Sequence, residues 1–267
     1  MQGRLLPKYK GLYQAHPKDY WQDEFVIAKD LGLDCIEFIL DFKDSNENPL
    51  LSSNGIEEIL SIVNNSGVSV NSICADYFME APLHSKNEIE ALQSIEILKS
   101  LILNASLLKV KDIVIPCVEK SSLKVNGAKE RFISCVSHVL DILESKKINL
   151  SLETDLPPAE FADLLSKINS KYITVNYDIG NSASLGYNPV EELDAYGDKI
   201  TDIHIKDRLL GGGPVFLGEG DADFDVFFEK LKEFNYQGIF IMQAYRDNEG
   251  IEIFKNQLNW LLDLNYY

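Results

Sequence analysis

Glu153, Asp178, His204 and Gln243 are the residues whose types and placement point to chemistry. Each stands at or near the end of a run that alternates apolar and polar residues as a strand does. In residues 200–207, Ile203 and Ile205 share one face, and Asp202, His204 and Lys206 the other. Leu150 and Leu152 point outward where Glu153 points inward, and Asp178 shares a face with Asn176, away from Val175 and Tyr177. Gln243 takes the matching place after Ile239-Phe240-Ile241-Met242. Two carboxylates, an imidazole and an amide oxygen form a mixed N/O set. It suits one hard or borderline divalent ion: Mn²⁺, Mg²⁺, Co²⁺ or Zn²⁺. A lone strand histidine is more often a hydrogen-bonded core residue, and a lone glutamate a rim ion pair. The coincidence at successive strand ends favours a metal centre.

Such a set needs a scaffold that brings neighbouring strand ends to one rim. Strand-like runs at 35–41, 68–78, 112–119, 148–155, 173–181, 200–207 and 238–244 alternate with helical runs. The helical runs fall at 20–31, 56–65, 87–108, 128–146, 158–168, 190–196, 223–234 and 251–262. Phe224, Phe227, Phe228 and Leu231 lie at i, i+3, i+4 and i+7; Leu92, Ile95, Leu98 and Ile102 also keep helical spacing. With a first strand, short or clipped, inside 1–6, the order matches a (β/α)8 TIM barrel. No Gly-rich fingerprint follows the first strand, which disfavours a doubly wound nucleotide-binding sheet. No linker divides 1–267, so a single domain is expected. Barrel chemistry sits at the C-terminal strand ends, where these four residues fall.

Composition narrows the partners. A formal net charge of −17 repels phosphate backbones, and Lys/Arg clusters are absent, so neither nucleic acid nor an anionic membrane is an expected partner. No apolar run of about 18 residues predicts a transmembrane helix. The amino terminus lacks a hydrophobic signal core, so a cytoplasmic protein is expected. The four cysteines form no C-x-x-C pair and read as free thiols, three of them in apolar strand runs. His16 and His84 fall in loops and His138 in a helix, without ligand partners by spacing.

The motifs Ile36-Glu37-Phe38, Leu152-Glu153, Tyr177-Asp178-Ile179-Gly180-Asn181, Ile203-His204-Ile205-Lys206-Asp207 and Leu217-Gly218-Glu219-Gly220-Asp221, with the 240–243 strand, come in a definite order and spacing. Over nearly the whole chain they resemble the xylose-isomerase-like TIM barrels, which include sugar and sugar-phosphate isomerases and epimerases. The closest likeness is to the pentulose-5-phosphate 3-epimerase type. The resemblance implies that Glu153, Asp178 and His204 bind the metal. It also implies a second glutamate on the last strand, the pair exchanging a substrate proton on opposite faces. Homo-oligomers are common among proteins of this resemblance. A three-zinc endonuclease, the other branch, is disfavoured by only four histidines and an acidic chain.

Gln243 departs from that pattern. An amide can offer oxygen to a metal but has no proton to trade near neutral pH. The expected activity is therefore an isomerase or epimerase of a small ketose or ketose phosphate, working through a metal-stabilised enediolate with Glu153 as base. The alternatives are a metal-dependent lyase or dehydratase on a keto-sugar or keto-cyclitol, and a non-catalytic sugar-binding barrel. Lys206, on the His204 face, is a candidate to steady an enolate oxygen. Arg208 and Arg246, just past the last two strands, are candidate phosphate clamps. Glu37, Asp76, Asn181 and Glu219 complete the expected substrate contacts, and the glycine-rich segment 211–220 reads as a lid or a connector.

Overall fold

A computed structural model describes residues 1–3, 5–246 and 250–264. The strands β1 (Cys35–Ile39), β2 (Ser69–Cys74), β3 (Asp112–Cys117), β4 (Asn149–Thr154), β5 (Ile173–Asp178) and β6 (Ile200–Ile205) pair in that order, all parallel. A small antiparallel hairpin, β7 (Asp207–Arg208) with β8 (Pro214–Val215), comes before the last barrel strand, β9 (Ile239–Met242), which adds beside β6. The helices are α1 (Asp23–Asp30), α2 (Ser53–Ser66), α3 (Tyr77–Glu80), α4 (Glu88–Leu108), α5 (Ala128–Ser137), α6 (Leu140–Lys146), α7 (Pro158–Ile168), α8 (Ile179–Leu185), α9 (Pro189–Tyr196), α10 (Phe224–Leu231) and α11 (Ile251–Asp263). This is the expected TIM barrel.

The gap between β1 and β9 is spanned by the first residues of the chain. Gln2 bridges Glu37 in parallel, Glu37 N–H donates to the Met1 carbonyl at 2.7 Å, and Gln2 N–H reaches the Met242 carbonyl at 3.4 Å. The first strand is thus a single ladder step. It brings Gln2, wholly buried, into the barrel.

Outward-facing strand residues pack on the helices. The Tyr177 ring stacks on Phe227 of α10 with centroids 4.8 Å apart, and its hydroxyl donates to Glu192 of α9 at 2.7 Å. Burying one such ring stabilises the fold by about 1.5–3 kcal/mol. The inward faces are polar, where barrels usually carry bulky branched side chains. Glu37, Ser72, Asn176, Asp202 and His204 are all buried there.

Several boundaries differ from the periodicity reading. The run 128–146 breaks into α5 and α6 at His138-Val139, where Val139 leaves helical φ at −119°. Residues 77–80 turn into α3 rather than extending β2, and residues 179–185 form α8 rather than prolonging β5. In α4 the buried face runs through Ala91, Ser94, Ile95, Leu98 and Ile102, leaving Leu92 exposed. Contrary to expectation, α4 is long and apolar enough, by length and composition, to cross a membrane. Its buried face packs into the hydrophobic core, as a core helix does.

Glu24, in the first turn of α1, is buried, and its carboxylate accepts a hydrogen bond from the Leu5 backbone. Burial raises its pKa to about 7, against the pull of the N-terminal ammonium and that hydrogen bond. The folded state therefore binds a proton that the unfolded state releases near pH 4.5. Stability falls as pH rises from there to about 7 and is then level. Glu24→Gln is expected to gain stability on the order of 3 kcal/mol at pH 8 and little at pH 4. Thermal unfolding at the two pH values checks this.

Candidate metal centre

The barrel interior converges on His204, which is fully buried. Its Nδ1 lies 3.7 Å from Glu153 Oε2 and 3.9 Å from Asp178 Oδ2, and its Nε2 lies 3.0 Å from Glu37 Oε1. Ligand atoms of Glu153, Asp178 and His204 all fall within 4.8 Å of one another. Strand alternation brings them together: β5 and β6 pair Asp178 directly with His204, and Glu153 follows Leu152, which pairs with Val175 of β5, near the end of β4. Asp178 also caps α8, accepting from Asn181 N–H at 2.8 Å, which fixes its rotamer.

Amides around the ring decide its protonation. Asn176 Nδ2 stands 3.1 Å from His204 Nδ1 and donates to Glu153 at 3.2 Å. Gln243 Nε2 stands 3.4 Å from Nδ1, while its Oε1 accepts from Lys206 Nζ at 2.8 Å. Turning either amide would set its oxygen against the Glu153 carboxylate or its NH₂ against the Lys206 ammonium. Both amides therefore present N–H groups to Nδ1, which must accept, and the ring proton sits on Nε2 facing Glu37.

This arrangement meets an opposing electrostatic demand. Burial lowers the His204 pKa, but the Glu37, Asp202 and Glu153 carboxylates raise it by more, to about 10. Burial, then the Asp178 charge, raises Glu153 to about 7. The carboxylates call for positive charge, whereas the amides allow no proton at Nδ1. A divalent cation held by Glu153, Asp178 and His204 Nδ1 would supply that charge and leave the ring neutral, once the Asn176 and Gln243 N–H groups turn away from the Nδ1 lone pair that they face here. Glu37, donated a 2.7 Å hydrogen bond by Ser72, then orients the imidazole from behind.

A cavity of about 420 Å³ opens onto this cluster; Asp76, Glu153, Asn181, Lys206, Arg208 and Gln243 line it. Lys206 pairs with Asp178 at 3.4 Å and with Gln243, not with Asp202 or Asp207. Gly180 makes room for it: a Cβ there would lie 2.9 Å from Lys206 Cγ. Arg208 donates to the Gly212 carbonyl at 3.1 and 2.8 Å and to Asn181 Oδ1 at 2.8 Å. Asn181 in turn holds Glu153 Oε1 at 2.5 Å. Arg208 thus steadies the glycine-rich loop and, through Asn181, the glutamate.

Three expectations need correction. Glu37 is wholly buried behind His204 and does not line the cavity, so it faces the imidazole rather than a substrate. Arg246 donates to the Leu6 carbonyl at 2.9 Å and lies over the Tyr13 ring at 4.4 Å, tying the end of β9 to the N-terminal segment. Glu219 is exposed and outside the cavity lining; its loop is tied down by Asp207 of β7, whose carboxylate accepts from Gly218, Gly220 and Ala222 N–H groups. A Cβ at Gly220 would lie 2.1 Å from Asp207 Oδ1, so that turn requires glycine. The Gln243 oxygen faces Lys206, and its nitrogen faces the centre, so ligation through oxygen would need the amide turned.

Sequence reasoning left Gln2 unassigned and used Asn176 only as a marker of face. Gln2 Oε1 accepts from Gln243 Nε2 at 2.6 Å across 241 residues of chain, a contact without any local signal. Asn176 was legible as the inward residue one step below Asp178.

Gln243→Glu adds a third carboxylate beside Glu153 and Asp178, with Lys206 in reach. It is expected to tighten Mn²⁺ binding about tenfold, near 1.4 kcal/mol, while lowering the melting temperature of metal-stripped protein. Calorimetric titration and thermal unfolding of both forms would measure the two effects.

Residues 25–264 match the family described as Xylose isomerase-like TIM barrel. The chain is 27% identical over 260 residues to L-ribulose-5-phosphate 3-epimerase UlaE of Escherichia coli, covering 89% of this chain and 87% of that protein. Its fold superposes on D-psicose 3-epimerase of Clostridium cellulolyticum H10, solved with D-tagatose (TM-score 0.75, 15% identity, 93% of each chain). It also superposes on the IolI protein with a bound zinc atom (TM-score 0.74, 18% identity, 92% of this chain and 93% of that one).

Proposed function

Because this chain belongs to the xylose isomerase-like TIM barrel family, we propose that it is a divalent-metal-dependent isomerase or epimerase of a small ketose or ketose phosphate. The observation that carries this reading is the acceptor Nδ1 of His204, held inside a ring of carboxylates that call for a cation. Glu153, Asp178 and His204 would hold the ion, and Gln243 would join through oxygen only by releasing Lys206. The names of the relatives, ribulose-phosphate and psicose epimerases, support the substrate class.

Bound there, the ion would polarise a substrate carbonyl and lower the cost of enediolate charge. Glu153, whose carboxylate lines the cavity, would remove the proton from the neighbouring carbon. Asn176 and Asn181 fix its two oxygens. Lys206, half-screened by Gln243, stands at the cavity wall to offset developing oxyanion charge. Glu37 holds the imidazole. Residues 1–267 act as one catalytic domain in this reading.

Incubating Mn²⁺-loaded protein with D-fructose, D-tagatose and L-ribulose 5-phosphate in heavy water tests it. Deuterium should enter at the carbon beside the carbonyl of at least one sugar. Binding without exchange would favour a sugar-binding barrel instead.

A further inference from the structure

Gln243 leaves the proposed reaction with one proton carrier where inversion of a carbon needs two. We propose that Asp76, at the C-terminal end of β2, is the second acid–base residue, acting across the cavity from Glu153. The inference rests on the proposed sugar chemistry and deepens it, assigning epimerisation rather than a one-base shift.

Asp76 lines the same cavity as Glu153, from a wall two strands round the barrel, and faces the His204 strand four strands away. Its carboxyl is oriented by its neighbours: Gln14 Nε2 donates to Oδ2 at 3.1 Å and Cys74 Sγ to Oδ1 at 3.3 Å. The other carboxylates of the cavity are placed less well. Glu119 is exposed at the mouth. The Ser122 hydroxyl donates to the Asp155 carboxylate, 2.8 and 2.9 Å from its two oxygens, and Lys124 lies 3.7 Å from it. Burial raises the Asp76 pKa from its ordinary value, against the Cys74 and Gln14 hydrogen bonds.

The step balances. The Glu153 carboxylate takes the proton as the C–H bond breaks, and the electron pair moves to the carbonyl oxygen through the new C=C bond. Protonated Asp76 then delivers its proton to the opposite face of that carbon, forming the new C–H bond and restoring the carbonyl. Glu153 is left protonated and Asp76 ionised, and exchange with solvent resets both.

Asp76→Asn keeps size and hydrogen-bonding ability but has no proton to give near neutral pH. With Mn²⁺-loaded protein and the same three sugars in heavy water, two quantities are read by NMR: deuterium entering the starting sugar and formation of its epimer. The variant is expected to keep deuterium entry within about threefold while epimer formation falls at least about 100-fold. Epimer formation within about threefold of native would overturn the assignment. So would an equal loss of entry and inversion with metal content intact, because Asp76 would then only position substrate. Absence of deuterium entry in the native protein would remove the underlying reading, and this assignment with it.

Discussion

Glu153→Gln is expected to lower the rate of proton exchange at the substrate carbon by about 10³–10⁴. The amide fills the same space and keeps one of the Asn176 and Asn181 hydrogen bonds through its single acceptor oxygen, but it cannot take a proton. The loss should fall on kcat, because the other groups around the cavity still receive the sugar. Metal content should fall by less, since Asp178 and His204 remain. Comparing deuterium entry with metal content in one preparation separates the base from the ligand role.

His204→Ala should do the reverse. Removing the imidazole takes away the one nitrogen donor of the cluster and should weaken Mn²⁺ or Zn²⁺ binding by at least about 100-fold, near 3 kcal/mol. It also leaves Glu37 wholly buried without its partner, so the variant should melt lower than native even without metal. Elemental analysis after removal of loose ions should give about one divalent ion per native chain and under a tenth of one in the variant. His204→Asn, which keeps a polar group beside Glu37, should lose metal as fully while melting higher than the alanine form.

The site was legible where one physical rule governs both strand and function. Alternation sends Glu153, Asp178 and His204 inward, and the parallel order of β4, β5 and β6 places them side by side. The same rule says nothing about depth. Glu37 points inward as read, yet a register shift between Ile36 and Glu37 seats it behind the imidazole rather than at the cavity. Arg246 was read from its position just past β9, but its partners, Tyr13 and the Leu6 carbonyl, lie far off in sequence. Gln2 shows the limit most clearly, because a one-residue ladder step has no periodicity. The end of β5 went unread for a different reason. Asp178 is both the last strand residue and the cap of α8, so strand and helix patterns meet without a gap.

Gln243 carries the chemical consequence. Its oxygen is engaged by Lys206 and its nitrogen turns to His204, so the last strand contributes orientation where a glutamate would contribute a base. Any second proton must then come from another wall, and Asp76 is the half-buried carboxyl that the cavity offers there.

The most direct test of the central claim is deuterium entry into ketose carbon with one preparation of protein, stripped by chelator and then reloaded with Mn²⁺. The metal-dependent account predicts no exchange above background in the stripped form and recovery on addition of about one equivalent. Equal exchange in both forms would contradict it, since Glu153 would then act without the ion that the His204 cluster is built to hold.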